Sequence, residues 1–171
     1  MFKRIIVAIT PVKNNNHILA EAIALAKLMD AELMLLHVLS PSDEGYPLPS
    51  YPNAGSAYEG ALSEEVVKNY TQQWEAYAQD SAQFIEALTA EATSAGVKTQ
   101  FTQNGGDPGQ VICKLAETWN ADLIMVGRRG HSGLKELFLG SVSNYVLHHA
   151  PCSVLTIQGS PRANASKFWG Q

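Results

Sequence analysis

The segment that could do chemistry is Gly127-Arg128-Arg129-Gly130-His131-Ser132-Gly133, continued by Leu139-Gly140-Ser141-Val142-Ser143. It leaves an apolar run of strand length and enters a helix. Glycines there let the backbone approach a ligand and adopt positive φ. Unpaired amides at the start of the final helix point outward, and the helix dipole favours an anion at that end. The hydroxyls of Ser141 and Ser143 can add donors. Arg128, Arg129 and His131 put positive or switchable charge beside the same spot. The chemistry is that of a phosphate cradle. The terminal Gly-Lys-Ser/Thr of a P-loop is missing, and the first strand–helix turn, Thr10-Pro11-Val12, lacks the glycines of a dinucleotide fingerprint.

Other polar residues have plainer readings. His37, inside an apolar strand, reads as a core histidine with its hydrogen bonds met. His148 and His149 fall near a helix C-terminus, where cations are favoured in any case, and no third metal ligand accompanies them. Asp107 reads as a helix cap. Asp122 begins a strand, away from the expected ligand end. Cys113 and Cys152 have no metal-ligand spacing and read as small apolar residues in a reducing compartment. Trp74 and Tyr77 read as packing.

The elements that must position the cradle alternate along the chain. Ile5 to Ile9 and Leu33 to Leu39 are continuous apolar runs, as expected of strands buried on both faces. Between them, Asn14 to Asn16 offer caps for a helix carrying Ile18, Leu19, Ala22, Ile23, Ala26 and Met29. A connection rich in chain breakers and tyrosines runs from about 40 to 62, a length that is often functional. A helix then runs from Ser63 to about Ala95, with Gly96 as its stop and a length that leaves room for a break near Asp80. Val97, Thr99 and Phe101 alternate as in a strand nearer the sheet edge. Asp107-Pro108 opens a helix reaching about Asn120. Asp122 to Val126 is a fourth strand, Ser141 to His149 a last helix stopped by Pro151, and Ser153 to Ile157 a fifth strand. This alternation implies a doubly wound α/β fold with a parallel sheet and right-handed crossovers. Such sheets take ligands outside the carboxyl ends of their strands, where strand order reverses.

The 171 residues, 46% apolar and 16% charged, suit one globular domain. A net charge of −4 gives no footprint for nucleic acid. No run approaches the roughly 20 apolar residues of a membrane span, and the N-terminal apolar run is too short for a signal peptide. The expected location is the cytoplasm.

Gly127-x-x-Gly130, nine residues, then Gly140-Ser141 resembles the nucleotide-binding motif of universal stress proteins. The resemblance covers about residues 1 to 158, leaving 159–171 as a polar tail expected to fray. It includes Lys3 to Ile9, the strand ending in His37-Val38, Gly106-Asp107-Pro108, Ala121 to Ile124 and Ala150 to Leu155. It implies a five-stranded parallel sheet, and a homodimer paired through the last strand, residues 152–158. It also implies that Gly127, Gly130, Gly140, Ser141, Val142 and Ser143 hold phosphates and ribose, with Arg128 and Arg129 beside them, and that the Val38 backbone meets adenine. Thr10 and Pro11 end strand one where the family usually carries an aspartate. Thr10 offers a hydroxyl in its place.

The function expected is binding of an adenine nucleotide, ATP or AMP, with Mg2+ able to bridge the phosphates of ATP. Occupancy is then transmitted to a protein partner or to the protein's own dimer. Two alternatives compete with it. One is an interaction module without nucleotide, which Thr10 favours. The other is a slow ATPase, which the want of a strong general base beside the motif disfavours.

Overall fold

The structure is a computed structural model describing residues 1–11, 16–41, 43, 45–48, 64–127 and 140–158. Among the described residues five strands alternate with four helices: β1 (Arg4–Ile9), α1 (Asn16–Met29), β2 (Glu32–Leu39), α2 (Glu64–Ser94), β3 (Thr99–Gly105), α3 (Pro108–Thr118), β4 (Leu123–Gly127), α4 (Ser141–His149) and β5 (Ser153–Ile157). All strand pairs are parallel, in the order β3-β2-β1-β4-β5. This is the doubly wound α/β sheet expected from the alternation.

The apolar strands divide their side chains between two cores. Ile5, Val7, Ile9, Leu33, Leu35, Leu123 and Met125 pack under α1 and α2. Ile6, Met34, Leu36, Val38, Ile124 and Val126 pack under α3 and α4. Burial on both faces explains why β1, β2 and β4 read as unbroken apolar runs.

Two expectations change. α2 runs unbroken through Asp80, because Tyr77, Ser81, Ile85, Leu88 and Ala92 keep one buried line at helical spacing while Asp80 stays on the exposed side. β3 continues to Gly105, beyond the alternating residues that announced it. It is an edge strand with Phe101 exposed, so its second half carries polar residues with little burial to mark it.

The amino ends of the strands are closed by short, well-bonded turns. Gly96, at φ 87°, ends α2 with the Gly96 amide on Thr93 O (2.9 Å) and the Val97 amide on Ala92 O (3.1 Å), the paired bonds of a Schellman cap. Asp30 and Asn120, both at φ 50°, end α1 and α3 with bonds from Ala31 to Ala26 (3.0 Å) and from Ala121 to Ala116 (2.9 Å). Asp122 Oδ2 accepts from the Lys3 and Arg4 amides at 2.8 and 2.9 Å, tying β1 to β4. On the opposite face, α3 and α4 approach closely at Gly109, where a Cβ would lie 2.6 Å from Tyr145 Cδ1. Asp107 caps α3 as expected, accepting from the Gln110 amide at 3.0 Å.

Candidate functional site

Strand register decides which loops meet. Ile9 lies opposite His37, and Val7 opposite Met125, so Thr10, Val38 and Gly127 all fall at the carboxyl edge of the sheet. β2 and β3 lie on one side of β1, and β4 and β5 on the other. The order therefore reverses between β1 and β4, which is where such sheets open a crevice. Thr10 is exposed at this edge, Pro11 half-buried and Val38 buried with its side chain toward α3 and α4.

α4 is fixed to the same edge. The Ser143 hydroxyl, buried, donates to Gly127 O at 2.6 Å, so the first turn of α4 is bonded to the last residue of β4. Gly140 caps the helix at φ −59°, ψ 155° without a side-chain hydrogen bond. The amides of the first turn have no preceding helical turn to bond and project toward the crevice by helix geometry. Two details differ from the sequence reading. The Ser143 proton goes to a carbonyl, leaving exposed Ser141 as the hydroxyl of this turn that faces solvent. Gly140 has an ordinary negative φ, so what it contributes is a missing side chain. Arg128, Arg129, Gly130 and His131 lie outside the described residues, as do the tail from 159 and most of the 40–62 connection.

A buried polar cluster that the sequence did not announce stands beside this edge. Asp43 Oδ2 accepts from Tyr77 Oη at 2.7 Å and from the Ser40 amide at 3.1 Å, and lies 3.4 Å from His37 Nε2. His37 Nδ1 faces Gln103 Nε2 at 3.4 Å. His37 is thus only partly satisfied: Nε2 is close enough to Asp43 for attraction but off hydrogen-bond geometry. Burial alone would raise the Asp43 carboxyl, yet His37, Tyr77 and the Ser40 amide together hold it below the ordinary carboxylate range. Burial, and then the Asp43 carboxylate, push the Tyr77 phenol up, so Tyr77 is a permanent donor. Tyr46 packs edge-on against Trp74 and Tyr77, with centroids 5.3 and 5.6 Å apart. Trp74 and Tyr77 do pack, as expected, and Tyr77 also carries a polar bond. The one sequence signal was Ser40-Pro41-Ser42-Asp43, a hydroxyl residue followed three later by an acid.

A cleft of about 700 Å3 opens next to this cluster, lined by Pro11, Tyr46, Pro47, Leu48, Tyr77 and neighbouring residues of α2. A smaller one, about 480 Å3, lies at the opposite end of the sheet among Lys3, Asp30, Glu32 and Lys98, remote from the crevice. Its charges are paired with one another, Lys3 with Asp30 and Lys98 with Glu32. Burial pushes the Cys113 and Cys152 thiols up, away from reactive thiolate. Among the described residues no group of His, Cys, Asp and Glu could hold a metal, and no helix is long and apolar enough to cross a membrane.

Comparison with known proteins gives the arrangement a family. The family model described as the universal stress protein family matches residues 1–158. The chain belongs to the universal stress protein family. Universal stress protein Sll1388 of Synechocystis sp. is 32% identical over 159 residues, spanning 92% of this chain and 98% of that protein. Among solved structures, universal stress protein UspA from Lactobacillus plantarum superposes with a TM-score of 0.69 at 21% identity, covering 91% of this chain and 97% of that one. A universal stress protein from Archaeoglobus fulgidus, solved in complex with dAMP, superposes at 0.55 with 17% identity, covering 91% and 98%. At these identities the superpositions show the fold. In this universal stress protein, the Gly127–Ser143 tie and the β1/β4 reversal lie within the matched span.

Proposed function

We infer that this universal stress protein binds an adenine nucleotide, ATP or AMP, across the carboxyl ends of β1, β2 and β4. The observation that carries the reading is the anchoring of α4 by Ser143 on Gly127, which aims a first turn capped by a side-chain-free residue at the strand-order reversal. Phosphates would be held by the amides of Gly140, Ser141, Val142 and Ser143 beside Gly127, with Arg128, Arg129 and Gly130 assigned to the same ligand by the sequence motif alone. The base and ribose would meet the Val38 backbone, Thr10 and Pro11. Mg2+, when bound with ATP, would neutralise phosphate charge. The dAMP complex of the Archaeoglobus fulgidus relative supports an adenine nucleotide as the ligand class.

Occupancy would be passed to a protein partner or to a second copy of the chain in the cytoplasm. β5 supports the latter, since it is an edge strand with Leu155 exposed, so residues 152–158 offer a pairing surface. The reading stops at binding. The competing reading, an interaction module without nucleotide, is favoured by Thr10, which brings no carboxylate to the end of β1.

The deciding experiment is to denature freshly purified protein, identify any released nucleotide by mass spectrometry, and titrate the stripped protein with ATP and Mg2+. Recovery or binding near one per chain supports the nucleotide reading. Absence of both makes the interaction module the better account.

A further inference from the structure

The geometry points to Asp43 as a positioning residue: its carboxylate latches the chain leaving β2 onto α2 and thereby fixes the Val38–Ser40 backbone at the base-side edge of the nucleotide site. This rests on the nucleotide reading above.

Asp43 closes two consecutive turns with three different groups. Its amide donates to Ser40 O at 2.9 Å, its carboxylate accepts from the Ser40 amide at 3.1 Å, and its carbonyl accepts from the Tyr46 amide at 3.2 Å. The carboxylate also takes the Tyr77 proton from α2 at 2.7 Å and faces the His37 ring of β2 at 3.4 Å. Its side chain is 3% exposed. A surface turn needs no buried acid, since a solvated aspartate makes the same local bonds without the cost of dehydration. Burial and the long-range bond to Tyr77 make sense if the segment must hold one path. That path carries Tyr46 onto Trp74 and Tyr77, and sets Tyr46, Pro47 and Leu48 as a wall of the cleft beside Pro11. Upstream, the same carboxylate stands against both neighbours of the Val38–Leu39 stretch: it lies 3.4 Å from the His37 ring before it and accepts from the Ser40 amide after it.

Two variants test the latch. Asp43→Asn removes the charge at constant size. Tyr77→Phe removes one donor and leaves the carboxylate and both turns intact, which guards against a variant that does not fold. Amide hydrogen exchange is followed in the full-length protein, free and with saturating ATP and Mg2+, with β4 as internal reference. We expect exchange across 39–48 to speed up about tenfold, equivalent to roughly 1.4 kcal/mol of opening free energy, while β4 is unchanged. With ATP, protection at 140–143 should persist and protection at 38–40 should be lost. Unchanged exchange at 39–48 in a folded variant would overturn the latch. Equal loss of ATP protection at both ends would reduce it to general destabilisation and overturn the positioning role. If the wild-type protein binds no adenine nucleotide, the nucleotide reading and the positioning role tied to it fail, while exchange at 39–48 in the free protein still separately decides whether Asp43 holds the segment.

Discussion

The Ser143 hydroxyl donates to the Gly127 carbonyl across 2.6 Å, joining the first turn of α4 to the last residue of β4. The two ends of the glycine-rich segment are thus held together by one side chain. Ser143→Ala should cost about 1 kcal/mol, the net worth of one hydrogen bond, read as a shift in the urea midpoint. It should also weaken ATP by more than Ser141→Ala does. Ser141 is exposed, so its loss should leave the midpoint in place.

Gly140 separates fold from ligand. At φ −59° the backbone accepts alanine, so Gly140→Ala should change stability by less than about 1 kcal/mol. The added methyl would stand where a phosphate approaches the amides. Isothermal titration should show ATP binding weakened about tenfold, roughly 1.4 kcal/mol.

Gly109 gives the opposite pattern. A methyl there would meet the Tyr145 ring and Cβ at 2.6 to 3.0 Å, and that ring is stacked on His149 with centroids 4.1 Å apart. Gly109→Ala should destabilise by about 1–3 kcal/mol, the usual cost of overpacking. ATP affinity, measured where the variant is folded, should not move.

Acid should act through Asp122. Its carboxyl is held below the ordinary 3.8 by the Lys3 and Arg4 amides. Because the unfolded chain takes up this proton more readily, the contribution is complete above that value and is lost as pH falls through the lowered folded value. Asp122→Asn should flatten the pH dependence of the urea midpoint in this acid range. Above about pH 5 the curves should run parallel, with the variant lower.

Thr10 can be given the acid that universal stress proteins usually carry there. Thr10→Asp changes a residue at the exposed end of β1 and leaves both cores untouched. A charge-assisted hydrogen bond to ribose or base should tighten ATP by about 1.5 kcal/mol, roughly tenfold. Titration of both proteins under one salt condition checks it.

Where burial is symmetrical, the fold was readable. Ile5–Ile9, Leu33–Leu39 and Leu123–Val126 are apolar on both faces and announced themselves as strands, while Gly96 and Pro151 marked stops. β3 was readable only in part, because an edge strand carries polar residues wherever solvent reaches it, whereas α2 was readable to within a residue at each end. At the site, small residues from Gly127 to Ser143 pointed to an anion. The partner of the Ser143 hydroxyl was not visible, since a hydroxyl at a helix start serves ligand or backbone equally well. Asp43 was hidden for another reason: its carboxylate is bonded to positions 40 and 77 and faces 37, with 103 behind it, and only the folded sheet brings these together.

The left-handed caps at Asp30, Gly96 and Asn120 all lie at one end of the sheet, where each helix turns at once into the next strand. Their bonds are local and owe nothing to the loops at the other end. The scaffold can therefore be treated as a socket: connections at the carboxyl edge can be exchanged, lengthened or shortened beyond the stretch that Asp43 and Tyr46 tie to α2, while strand order and core remain as they are. Diversification of what such a protein recognises would then proceed by trading loops on one rim, with the opposite rim kept as the part that folds.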